Sequence, residues 1–224
     1  MKVFIALDYP ELGPAVEVAR ALQPLGVGFK VGLELFTACG PAAVRAVQAV
    51  GGPVFLDLKL HDIPNTMAGA ARAAAGLGVG WLTAHASSGA AGLQATAAAC
   101  PGVALLGVTV LTSLGEGDLA GLGVERPLAQ QVRALGVAAV AAGCRGVVCS
   151  PRETAMLRAA LPMEAVVVAT GVRPAGVAAG DQARFGTPAE TVAAGASMIV
   201  VGRAVTAAPD PAAACRAILR EIGA

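Results

Sequence analysis

Val54-Phe55-Leu56-Asp57-Leu58-Lys59-Leu60-His61-Asp62-Ile63-Pro64-Asn65-Thr66 carries both the architecture of the chain and its densest chemistry. The apolar run that leads into Asp57 reads as a strand covered on both faces, as in a parallel sheet. Pro64 suits the first turn of a helix, where its missing N–H and fixed φ are tolerated. Strand, turn and helix form one βα unit, and the charges fall where the strand gives way to the loop.

The same grammar repeats on either side. Short apolar runs lie at Val3–Leu7, Val27–Val31, Val54–Leu58, Val79–Ala84, Val103–Val110, Gly146–Cys149, Ala165–Ala169 and Met198–Val201. Helical stretches separate them, among them Pro10–Leu22, Pro41–Val50, Pro64–Ala75, Pro127–Ala142 and Pro151–Ala160. Gly26, Gly51, Gly76 and Gly143 follow such stretches and suit helix C-caps. Eight units in 224 residues is about 28 residues each, close to the repeat of a (β/α)8 barrel. No linker or charge run marks a second domain, so residues 1–224 are expected to form one (β/α)8 TIM barrel of the α/β class. A doubly wound open sheet is the rival, but no GxGxxG follows the first strand.

Composition narrows the function. Sixteen Lys and Arg against fifteen Asp and Glu give a net charge of +1, and aromatics are 3%. That offers no basic field or stacking platform for nucleic acid. From Ala73 to Gly115 there is no Asp, Glu, Lys or Arg. This run is mostly Ala and Gly and is cut by Pro101, so it reads as strand, helix, strand and not as a membrane span. The N-terminal apolar run is too short for a signal peptide. The five cysteines form no CxxC pair and read as reduced thiols of a cytoplasmic protein. With only His61 and His85 available, no cluster has zinc-ligand spacing.

Polar residues recur where strands end: Asp8, Lys30, Asp57 with Lys59, His85, Thr112 with Ser113, Ser150, Thr170, and Gly202 with Arg203. In a barrel these ends converge on one pocket. Ser150 and Thr170 need no more explanation than a strand meeting its loop. Lys30, Asp57 and Lys59 do, since charges beside buried strands are costly unless paired. Asp57 and Lys59, two apart on a strand, share a face. A turn can bring Asp62 back toward Lys59, and a lysine between two carboxylates stays protonated. Spacing alone leaves open a proton donor or a structural ion-pair network. Direct proton transfer by His61 or His85 is not expected.

Asp57-Leu58-Lys59-Leu60-His61-Asp62-Ile63-Pro64-Asn65-Thr66 resembles the signature of the bacterial orotidine 5′-phosphate decarboxylases. Ala6-Leu7-Asp8, Phe29-Lys30-Val31-Gly32, Leu111-Thr112-Ser113, Gly171-Val172-Arg173-Pro174, Gly180-Asp181-Gln182-Ala183-Arg184 and Val200-Val201-Gly202-Arg203 follow in the family's order along the whole chain. The resemblance implies decarboxylation of orotidine 5′-phosphate to uridine 5′-phosphate in pyrimidine biosynthesis, with no cofactor and no metal. It implies that Lys59 is the general acid at C6 and that Asp57 sits against the substrate carboxylate. Asp8 and Lys30 would address the ribose, and Thr112 and Ser113 the pyrimidine edge. Gln182 would bridge base and phosphate, while Arg173, Gly202 and Arg203 bind phosphate. Asp62 and Thr66 would reach into the neighbouring site of a homodimer. Gly171–Gly186, with its glycines, would be a lid over the phosphate. Mg²⁺-dependent sugar-phosphate decarboxylases and hexulose-phosphate synthases share the Asp-x-Lys-x-x-Asp core without usually continuing Ile-Pro-Asn-Thr. They are the alternative, with a non-catalytic phosphoribosyl-ligand-binding barrel as a third.

Overall fold

The computed structural model describes residues 2–175 and 183–224. Eight parallel strands close into a barrel in sequence order: β1 (Lys2–Ala6), β2 (Gly28–Gly32), β3 (Val54–Leu60), β4 (Trp81–His85), β5 (Ala104–Val108), β6 (Gly146–Cys149), β7 (Val166–Thr170) and β8 (Met198–Val201). At least one helix follows each strand and packs outside the barrel. The expected (β/α)8 architecture is therefore the one observed.

Two apolar cores explain why the strands read as unbroken hydrophobic runs. Val3, Ile5, Phe29, Val31 and Leu56 point outward into the layer between sheet and helices. Phe4, Ala6, Phe55, Leu106, Val148 and Val200 point inward and fill the barrel. Both sets are removed from water, so strand alternation leaves no polar face. Phe4 packs edge-on against Phe55 and Trp81, at ring-centroid distances of 5.7 and 5.1 Å. These rings plug the barrel below its C-terminal mouth.

The charge-free stretch from Ala73 to Gly115 contains β4, the helix Gly89–Ala99 and β5, as its composition predicts. Among the described residues no helix is long and apolar enough to cross a membrane. Other boundaries differ locally. Pro10 precedes the first helix, which begins at Leu12, and Pro151 opens a 3-10 turn, Pro151–Glu153, before the helix Thr154–Ala160. Gly51 and Gly143 adopt positive φ at helix ends, but Gly76 stays right-handed at −62°. The chain continues turning there, and Gly78 supplies the left-handed residue at φ 71°. All five cysteines are free; burial pushes the Cys144 and Cys149 thiols up to about 12, which makes them poor nucleophiles.

Candidate active site

The site is built on a defect in β3. Leu56 pairs with Leu82 and Leu60 with Ala84, so Asp57, Leu58 and Lys59 face Thr83 alone. Lys59 absorbs the mismatch with φ 49°, the only positive φ outside glycine among the described residues. Regular alternation predicts Asp57 and Lys59 on one face. Their side chains do meet, with Lys59 Nζ 2.8 Å from Asp57 Oδ2, but across a bulge and not along an ideal strand. Thr83, wholly buried, donates its hydroxyl to Asp57 Oδ1 at 2.8 Å and accepts the Lys59 N–H at 2.9 Å.

Lys30 on β2 approaches from the other side, its Nζ 3.3 Å from Asp57 Oδ2 and 3.2 Å from Asp8 Oδ1. Two carboxylates and two ammonium groups thus alternate along the chain Asp8–Lys30–Asp57–Lys59. Gly32 makes room for it: a Cβ there would lie 2.7 Å from Lys30 Nζ and 2.8 Å from Asp8 Oδ1. Burial pushes the Asp57 carboxyl up, but Lys30 and Lys59, with hydrogen bonds from Lys59 and Thr83, outweigh it and hold Asp57 below the usual carboxylate range. Burial pulls Lys30 down, and the carboxylates of Asp57 and Asp8 more than reverse that. Both residues are therefore charged at neutral pH.

A cavity of about 750 Å³ opens at the C-terminal mouth above this cluster. Asp8, Lys30, Asp57 and Lys59 line one part of it, and Thr112, Arg173, Gly202 and Arg203 line another. Gly202 stands at the N-terminus of the short helix Arg203–Thr206. The Arg173 guanidinium lies 5.4 Å from the centre of the Phe185 ring. Eight of the twelve residues expected from sequence thus surround one cavity.

The others are placed differently. Asp62 and Thr66 are exposed, and the Asp62 carboxylate accepts the N–H of Ile63 at 2.6 Å. The turn expected to return Asp62 to Lys59 within one chain does not form. Lys59 is held by Asp57, and the loop satisfies Asp62 locally. Ser113 is exposed and does not line the cavity, and Gln182 lies outside the described residues. The span Gly171–Gly186, read as a lid, is described only at its two ends. There Val172 bridges Gly186, Arg173 donates its backbone N–H to the Gly186 carbonyl, and Ala183 donates to the Thr112 carbonyl. Buried Arg184 pairs with Glu153 at 2.8 Å and donates to the carbonyls of Val110 and Leu111. The latter contacts tie the loop base to the segments after β5 and β6. Ser150 caps the 3-10 turn and donates to Glu153, a structural part as its position suggests. His61 and His85 stack obliquely at the mouth, their centroids 5.3 Å apart. Burial, with His61 and Lys59 nearby, holds His85 below the ordinary histidine range.

Sequence reasoning overlooked Thr83, Gly32, Glu153 and Arg184. Thr83 and Glu153 carry no motif of their own, and their partners become visible only once strands and loops are adjacent. Gly32 and Arg184 lie within the family-like segments Phe29–Gly32 and Gly180–Arg184, but no spacing rule gives them a role.

Paired ammonium and carboxylate groups at strand ends, facing arginines across a cavity, define a (β/α)8-barrel enzyme that works on an anionic ligand. The chain belongs to the orotidine 5′-phosphate decarboxylase / HUMPS family, whose model matches residues 1–218. It is 55% identical over 218 residues to the orotidine 5′-phosphate decarboxylase of Anaeromyxobacter sp. strain K, covering 97% of this chain and 96% of that one. Against the enzyme of the same name from Moorella thermoacetica it is 52% identical over 231 residues, with 99% and 92% covered. The crystal structure of orotidine 5′-phosphate decarboxylase from Lactobacillus acidophilus superimposes with a TM-score of 0.87 at 35% identity, covering 100% of this chain and 99% of that one.

The charge state of Asp57 has a consequence for stability. Its folded pKa is depressed, so its contribution is present above the unfolded value of about 3.9 and is lost as pH falls through the folded value. Asp57→Asn should cost about 3–5 kcal/mol near neutral pH by leaving buried Lys30 without its main partner. Urea unfolding should show the gap to wild type narrowing below about pH 3.9. A gap unchanged from pH 7 down to pH 2.5 would contradict the assignment.

Proposed function

We propose that this chain decarboxylates orotidine 5′-phosphate to uridine 5′-phosphate and CO₂ in pyrimidine biosynthesis, using no cofactor. The observation that carries the reading is Lys59, held by buried Asp57 at the floor of a cavity whose far side bears Arg173 and Arg203. The similarity to relatives named orotidine 5′-phosphate decarboxylase, at 55% and 52% identity over nearly the whole chain, supports the substrate.

The reaction breaks the C6–CO₂ bond and leaves its electron pair on a ring carbon without an adjacent electron sink. A fixed cation at that carbon lowers the cost of the developing charge. Lys59 Nζ–H then breaks, C6–H forms, and Lys59 is reprotonated from solvent. Asp57 holds the ammonium in place, and its own negative charge lies where the substrate carboxylate would approach. Loss of CO₂ relieves that repulsion, so the interaction favours the transition state over bound substrate. Asp8 and Lys30 take the ribose hydroxyls, and Thr112, with Ser113, the pyrimidine edge. Gln182 joins base to phosphate. Arg203 and Arg173 grip the phosphate, since guanidinium matches its oxygens in a forked geometry, and Gly202 lets backbone approach it. Binding energy from that remote phosphate is available for work at C6.

The same reading makes the protein a cytoplasmic homodimer with shared sites. Free cysteines fit a reducing compartment. Asp62 and Thr66, exposed beside an Ile63 that is 67% exposed, are suited to entering a partner's cavity. Within each site the partner subunit's Asp62 would add a second carboxylate near Lys59. The Mg²⁺-dependent alternative has less support, because Asp57 is committed to two ammonium groups and a threonine hydroxyl. Among the described residues no three His, Cys, Asp or Glu side chains converge to hold a metal ion.

Loss of orotidine 5′-phosphate absorbance in the presence of EDTA is the primary assay. Wild type should turn over, and Lys59→Ala should be slower by several orders of magnitude while still binding uridine 5′-phosphate. Near wild-type turnover by Lys59→Ala, or abolition of wild-type turnover by EDTA, would remove the proposal.

Mixing inactive Asp62→Ala with inactive Lys59→Ala tests the shared site. In a heterodimer one site collects both defects and the other neither, so up to about half of its sites should recover. Demonstrated subunit exchange with no returning activity would place Asp62 outside the partner's site.

A further inference from the structure

Thr83 is the single β4 residue opposite three residues of β3, at the one place where the ladder between those strands loses its register. At such a bulge a backbone N–H loses its usual carbonyl partner, and a buried N–H without a partner is costly. Here the orphan belongs to Lys59, and the Thr83 hydroxyl accepts it at 2.9 Å. That acceptance fixes the role of the hydroxyl proton. An ionised carboxylate can only accept, so the same hydroxyl must donate to Asp57 Oδ1, 2.8 Å away. One oxygen therefore holds the main chain of Lys59 and the carboxylate that pairs with its side chain. Thr83 is 0% exposed, so no water competes for either bond. Its Cα partner on the other side is Leu106, whose side chain belongs to the apolar interior of the barrel and offers no substitute. A left-handed backbone at a non-glycine residue persists only when its surroundings hold it, and Thr83 is the contact that does so.

We infer that Thr83 is a positioning residue for the reaction: its hydroxyl locks the strained Lys59 backbone and the Asp57 carboxylate into one rigid unit, and so sets where the Lys59 ammonium points. The inference rests on the proposed decarboxylase reading for its kinetic consequence, but its structural consequence stands apart from that reading. Thr83 is buried and does not line the cavity, so it differs in kind from Lys59 and Asp57.

The test compares wild type with Thr83→Val, which keeps shape and removes the hydroxyl, and Thr83→Ser, which keeps the hydroxyl and removes a methyl group. Thr83→Cys, a weaker donor of nearly the same size, takes the place of Thr83→Val if that variant does not fold. For Thr83→Val, kcat on orotidine 5′-phosphate should fall by about 10- to 100-fold, the range expected when a hydrogen bond to a charged group is lost from a transition state. KM should move by less than about threefold, because the phosphate and ribose contacts are intact. Thr83→Ser should restore kcat to near wild type. A crystal structure of Thr83→Val should show the Lys59 backbone relaxed from φ 49° and its ammonium displaced from Asp57 Oδ2. If wild type is active and Thr83→Val or Thr83→Cys matches its kcat, or if Thr83→Ser is as slow as Thr83→Val, Thr83 is only a packing residue and the inference fails. If wild type itself does not turn over orotidine 5′-phosphate, the functional reading fails. The crystal structure then decides the inference alone: an unmoved Lys59 overturns it.

Discussion

Asp57 lies between two ammonium groups in a place almost closed to water, and the rest of the mouth is arranged around that fact. A lone carboxylate so buried would take up a proton. Lys30 and Lys59 keep it ionised, and it helps to keep Lys30 charged in return. Satisfying all three draws on β2, β3, β4 and the residue pair after β1. The ionic cluster thereby fixes how four consecutive βα units meet at their C-terminal ends. Directly beneath it Phe4, Phe55 and Trp81 fill the barrel with rings. That apolar floor keeps solvent from the buried side of Lys30 and Asp57 and strengthens the charge interaction between them.

Rigidity follows from the same arrangement. Lys59 is a long, flexible side chain, and an untethered ammonium would sample many positions. Its backbone is pinned by Thr83 and its Nζ by Asp57, so little reorganisation remains when charge develops at a bound ligand. On the proposed reading this is how a protein without an electron-accepting cofactor can favour decarboxylation. The arginines act at a distance from the reacting carbon. The segment of Arg173 also carries Arg184, whose buried pairing with Glu153 anchors the loop base.

Much of this was legible in the sequence, for identifiable reasons. Continuous apolar runs gave the strands because both faces of every strand are buried, and polar residues at their ends gave the ring around the cavity. Asp57, Lys59, Lys30 and Asp8 were readable because charge beside a buried strand demands a partner. Other features depend on tertiary neighbours. Nothing local marks the β3 bulge, since Asp57-Leu58-Lys59-Leu60 has the alternation of a regular strand, and the shift arises from pairing with β4. Thr83 looked like an ordinary strand threonine for the same reason. Gly76 is the helix C-cap that its position suggests, but its backbone stays right-handed and Gly78 supplies the left-handed residue, a choice that sequence does not reveal. Spacing alone allows Asp62 beside Lys59 of its own chain, but there Lys59 pairs with Asp57 and Asp62 accepts the N–H of Ile63, partners that spacing does not reveal.

That Asp57 is an ionised carboxylate despite its burial, because two ammonium groups outweigh the loss of solvent, is what the whole cluster depends on. It is most directly tested by an NMR pH titration of protein labelled with carbon-13 at the aspartate carboxyls, with the Asp57 resonance assigned through Asp57→Asn. The midpoint should lie below the ordinary aspartate value of about 3.9. A midpoint above that value would mean that burial wins over Lys30 and Lys59, and would contradict it.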